Sequence, residues 1–202
     1  NKLKDVEVYE YGHGGYDMAD QLHLIHVYKD DFDLIDYIII YLKFENDLKR
    51  SQYVLNHDYV NIMNSFRFRI REKIKLLRYI DRIGLFEPFR QIRSKLRNNE
   101  NDKKNLKVDE KVYLEYLDNF KTLIQTFGIN KEKTAFLLDK NKTHKSFLDY
   151  CDQMGYNYID IGAALEESKK PTTLIYDKHW NNNGRSIIAS VIIKYAKKIG
   201  LN

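Results

Sequence analysis

The chain has 202 residues, 43% hydrophobic and 31% charged with two prolines, a globular composition that excludes a disordered or collagen-like chain and allows one domain with a substantial core. Its formal charge of +5 is uneven: Ser65 to Lys107 holds 14 Lys and Arg against five Asp and Glu, about +9, which leaves about −4 elsewhere. One cysteine, Cys151, excludes an internal disulfide and a Cys-rich metal site, and no run approaches the roughly 18–20 apolar residues of a membrane span.

In chain order, "VEVYEY" (6–11) alternates as a strand does, and "GHGGY" (12–16) ends it. The start goes directly into this strand pattern with no signal-peptide pattern ahead of it. Residues 17–29 have Met18, Leu22, Ile25 and His26 at helical spacing, with Asp17 at the start. "IDYIIIYL" (35–42) is the continuous β-branched and aromatic run expected of a strand covered on both faces, and "KFEND" follows as a loop. A basic amphipathic helix is predicted over 62–83, broken at Gly84, with a second basic stretch over 89–97 and a polar linker over 98–105.

Residues 109–127 form the next amphipathic helix, with Val112, Tyr116, Phe120, Leu123 and Phe127 inward and Gly128 as its stop. "TAFLLD" (134–139) reads as a strand, "HKSFLDYCDQMG" (144–155) as a helix and "YNYIDIG" (156–162) as a strand. The last helix covers about 184–199, with Asn181, Asn182 and Asn183 offering N-caps. Strands alternating with helices predict an α/β fold with a central parallel sheet and helices on both faces.

In open parallel sheets the binding crevice lies at the carboxyl ends of the strands. Three polar clusters are placed there by the pattern: "GHGGY" (12–16), "ENDLK" (45–49) and "DKHWNNNG" (177–184). Each has a structural reading: the glycines serve a turn, Asn46 and Asp47 cap or form an Asx-turn, and His179 packs beside Trp180. The Asp177–His179 pair has a chemical one as well. A carboxylate beside one imidazole nitrogen fixes the tautomer and supports the imidazolium formed when the other nitrogen takes a proton.

Together the three clusters resemble the SGNH, or GDSL-type, esterase and acyltransferase superfamily. "VYEYGHGGY" (8–16) is similar to its second block, "IIIYLKFEND" (38–47) to its third, and "DKHWNNNG" to its fifth in an Asp-x-His-Trp form shared with polysaccharide O-acetylation proteins. The matched blocks lie between residues 6 and 198, with 50–133 largely unmatched. The resemblance implies a three-layer, flavodoxin-like sandwich over residues 1–202, with a basic helical insertion at about 50–107. By the same match His179 is the general base, Asp177 orients it, and Gly15 N–H and the Asn46 side-chain amide are oxyanion donors. Trp180 becomes a candidate wall of the acyl or sugar pocket. The implied substrate is an acyl ester, above all of a carbohydrate or cell-envelope glycan, and the implied location is the cell envelope or outside the cell. No cofactor is required, and no metal-ligand spacing stands out.

One departure bears on the chemistry. The family's first block, a Gly-Asp-Ser turn after the first strand, has no counterpart, and none of Ser51, Ser65, Ser94, Ser146, Ser168, Ser186 and Ser190 follows Gly-Asp. Three explanations stay open: an upstream segment carries the serine, the domain is a non-catalytic relative that binds glycan or partner, or the resemblance misleads. The family's first strand also lies between the two strands matched at 6–11 and 35–42, so without it a gap is expected in the sheet. Residues 65–97, containing "FRFRIREKIKLLRYIDR", support a rival role as an anionic-membrane or polyanion surface. Nucleic acid is disfavoured because no nucleic-acid-binding motif accompanies the charge.

Overall fold

Three strands, β1 (Ile38–Tyr41), β2 (Thr134–Leu138) and β3 (Asn157–Asp160), pair in the order β1-β2-β3, all parallel. The computed structural model describes residues 6–55, 64–66, 70, 73, 110–174 and 179–201. The chain divides into two compact units, residues 1–53 with 108–202 and residues 54–107. The sheet and every element below belong to the first.

In register, Ile38 lies opposite Thr134 and Ala135 opposite Asn157. β2 is central, and all five of its residues are buried. β1 is as apolar in sequence, yet Ile39 and Tyr41 stay 36% and 41% exposed. The N–H groups of Ile38 and Leu42 point at β2, bonding Lys133 O and Leu137 O. Parallel pairing alternates, so the N–H groups of Ile39 and Tyr41 point away from β2. Among the described residues no strand pairs with that edge.

Side chains of successive strand residues divide between the two faces. Ile40, Leu42, Phe136 and Leu138 join one core with Met18, Leu22, Phe120, Leu123 and Phe147. These last come from α1 (Met18–Val27), α4 (Glu110–Phe127) and α5 (Lys145–Met154). Ala135, Leu137, Ile159 and Ile161 join a second core with Ile188 of α7 (Asn182–Lys198). The shorter α2 (Lys29–Asp33), α3 (Phe44–Asp47) and α6 (Gly162–Glu166) complete the described helices. The fold is mixed α/β around a small parallel sheet, with apolar cores on both faces.

Local signals account for the helix ends. Asp17 caps α1 through a reciprocal capping box with Asp20, and Gly155 ends α5 in the left-handed conformation with φ 71°. Two expectations are corrected. Residues 6–11 form no strand: they pair with nothing among the described residues, and Val8 and Tyr9 are 85% and 64% exposed. Alternation prepares one face for a sheet, but a ladder needs a neighbour to bond. "KFEND" is not a loop throughout, because Phe44, fully buried, anchors the turn of α3. The basic stretches at 62–83 and 89–97 lie almost wholly outside the described residues, as does most of the surface expected at 65–97.

Candidate active site

The carboxyl end of β1 leads through Leu42 and Lys43 into α3, whose first residue, Phe44, packs in the core. That buried anchor holds the rest of the turn at the strand end. Asn46 is exposed there, and its side-chain amide makes no hydrogen bond within the described structure. Asp47 folds back so that Oδ2 accepts the Lys43 N–H at 2.7 Å. Burial pushes the Asp47 carboxyl up to about 6, the Asp17 carboxylate adding to the rise and the Lys43 N–H opposing it.

The "GHGGY" cluster forms a turn closed by Tyr16 N–H on His13 O at 3.1 Å. Gly15 has φ 93°, a conformation glycine adopts without strain, and its N–H stays outside the turn's own bond. Directly after the turn, Asp17 takes both arms of Arg50: Nε to Oδ2 at 2.5 Å and Nη2 to Oδ1 at 2.8 Å. Arg50 Nη2 also lies 2.7 Å from Asp20 Oδ2. The hydrogen-bonded Asp17 carboxylate, with Asp20 behind it, raises the guanidinium pKa above its ordinary value. Arg50 follows α3 by three residues, so one fork ties the "GHGGY" turn to the Asn46 turn.

His179 lies on a short antiparallel pairing ahead of α7. Leu174 N–H bonds His179 O at 2.9 Å, Asn181 N–H bonds Thr172 O at 3.0 Å, and Thr173 bridges Trp180. The Trp180 ring meets Tyr41 edge-on, with centroids 5.0 Å apart, and this contact sets the His179 segment against the end of β1. Tyr41 has its pKa raised by burial first, then by the Asp47 and Asp139 carboxylates. His179 is exposed and Trp180 half-buried. Asp177 lies outside the described residues.

Two of the clusters are therefore joined to each other, and the third is tied to the last residue of β1. Arg50 links Gly15's turn to Asn46's turn, and Trp180 with Tyr41 links the His179 segment to β1. Neither Arg50 nor Tyr41 was singled out from sequence. Arg50 sits 33 residues from Asp17, and nothing local marks it as that residue's partner. Tyr41 reads in sequence as one more residue of an apolar run.

Three of the described serines find other uses. Ser168 Oγ bonds Lys170 O at 2.9 Å, and Ser190 Oγ bonds Ser186 O at 2.9 Å on α7. Ser146 Oγ lies 2.8 Å from His144 Nδ1, but that nitrogen also accepts the Ser146 N–H as the N-cap of α5. The pair is thus the start of a helix. Cys151 is fully buried, its thiol pushed up to about 12 by burial, so it offers no thiolate. Among the described residues no three His, Cys, Asp or Glu side chains are grouped to hold a metal ion. Among the same residues no helix is long and apolar enough to cross a membrane.

In comparisons with protein-family models, curated proteins and solved structures, nothing matches this chain.

Proposed function

We propose that this chain carries the base and oxyanion donors of an SGNH-type serine ester hydrolase or O-acyltransferase, acting on acyl esters of a carbohydrate or cell-envelope glycan. The observation that supports the reading is the pair of links near the end of β1, the Arg50–Asp17 fork between the Gly15 and Asn46 turns and the Trp180–Tyr41 contact beside His179, on a strand whose outer edge pairs with no strand among the described residues. A strand on that edge would deliver a residue at its own carboxyl end between the Asn46 turn and the His179 segment. The reading requires that residue to be a serine supplied from outside these 202 residues.

In such a site the serine Oγ attacks the ester carbonyl while His179 removes its proton, and Asp177 stabilises the imidazolium. The oxyanion is held by Gly15 N–H, the Asn46 amide and the serine's own N–H. Among the described residues neither Gly15 N–H nor the Asn46 amide has a hydrogen-bond partner, which suits donors kept for a substrate. Each such donor is worth about 10²–10³ in kcat. The alcohol leaves with the proton from His179, and water or a sugar hydroxyl then takes the acyl group. Trp180 and Tyr41, both partly exposed, would line the side of this site next to β1.

The test is hydrolysis of a short-chain acetyl ester by the protein together with its upstream coding sequence. His179→Ala is expected to lower kcat by roughly 10³-fold or more. Full activity in that variant removes the assignment. An inactive wild-type protein that retains glycan binding moves the conclusion to a non-catalytic binding domain.

A further inference from the structure

The Asn-rich run after His179 does more than open a helix. Asn181 Oδ1 accepts the Gly184 N–H at 3.0 Å, which is an ordinary N-cap bond. The same side chain turns its amide back, donating Nδ2–H to Pro171 O at 2.8 Å and Thr173 O at 3.0 Å. Asn183 donates from Nδ2 to Ser168 Oγ at 3.0 Å and to Lys170 O and Pro171 O at 3.4 and 3.3 Å. Gly184 closes the join from below: a Cβ there would stand 2.2 Å from Thr172 O. Two side chains and one missing side chain thus weld residues 168–174 to the first turn of α7.

That welded segment is what His179 hangs from. His179 is bonded to it directly, Leu174 N–H on His179 O, and two residues further on Asn181 N–H bonds Thr172 O. Helix capping alone does not call for asparagine, because Asp, Ser and Thr cap as well and lack an NH₂ group. The position uses the acceptor and the donors of one side chain at once.

We propose that Asn181 and Asn183 are positioning residues for His179, holding the 168–174 segment so that the imidazole is presented at the end of β1. The proposal rests on His179 being the base, and its test separates the two. Asn181→Asp keeps the cap acceptor but loses both donors. Asn183→Asp puts an acid in the first turn of α7, where the helix dipole favours it, and likewise loses its donors.

Three readouts apply to each variant. In the 202-residue chain, amide exchange at Leu174 is expected to rise about tenfold or more while the α7 amides keep their protection. The His179 ring resonances should shift and broaden. In the active protein, kcat should fall about 10- to 100-fold with KM little changed, since small displacements of a catalytic group cost that much. Unchanged Leu174 exchange and ring signals in both variants overturn the proposal. So does looser exchange at unchanged kcat in an active enzyme. A wild-type protein without ester hydrolysis sinks the catalytic reading, and the exchange and ring signals then still decide whether the asparagines hold His179.

Discussion

β1 and β2 are both short, largely apolar runs, "IIIY" and "TAFLL", and the fold treats them differently. β2 has a strand on each side and a core on each face, so nothing in it is exposed. Among the described residues β1 has a partner on one side only, and its Tyr41 packs against the Trp180 ring. An apolar run shows that a strand belongs in a sheet. How many neighbours it has is decided by the other strands. The strand with no second neighbour among the described residues is also the one next to the candidate site, which is why the proposal turns on its edge.

The largest effect expected from this contrast is in β2. Phe136 is 1% exposed and packs edge-on against Phe120, with ring centroids 5.4 Å apart. Phe136→Ala should cost about 3–5 kcal/mol in chemical denaturation. A loss below about 1.5 kcal/mol would break the picture of β2 as the centre of the core.

A middle-sized effect is expected at the end of β1. Asp47 has its folded pKa raised from 3.8 to about 6. A carboxyl raised in this way binds its proton more tightly in the folded state. Its stabilising contribution is therefore full below about pH 4 and is lost as pH rises through about 6. Asp47→Asn should flatten that decline, a difference of about 1–2 kcal/mol at pH 7 after allowance for partial solvent screening. Parallel pH–stability curves for the two proteins would show that the strand end is better solvated than the geometry indicates.

The smallest effect is expected within β1. Ile39→Thr keeps a β-branched side chain at a position 36% exposed and should cost about 1 kcal/mol or less. Its amide should also exchange faster than that of Ile40, whose N–H points at β2. Strong protection at Ile39 would mean that the edge is already covered, and would remove the place proposed for a nucleophile-bearing strand.

Much of the fold was legible residue by residue. The helices at 18–27, 110–127, 145–154 and 182–198 follow from 3.6-residue periodicity, with Asp17, Asn181 and Gly155 acting as local caps. The three strands follow from short β-branched and aromatic runs separated by helices, and that alternation makes parallel pairing the expected outcome. Of the three polar clusters expected at strand ends, only "ENDLK" follows a strand among the described residues, since residues 6–11 form none. The helix and strand signals are local, so the sequence by itself determined them.

Only the tertiary structure decided the remainder. Residues 6–11 alternate as well as a strand should, yet form none among the described residues, because pairing depends on a neighbour that their own pattern cannot supply. The Arg50–Asp17 fork and the Trp180–Tyr41 contact join residues far apart in the chain, and each partner alone looks ordinary. Asn181 was readable as a cap, but its two bonds to Pro171 and Thr173 were not. Periodicity and capping are properties of one segment and its own backbone. Strand order, edge exposure and the clasp around His179 are properties of which segments meet, and that is set by the packing of the whole sheet.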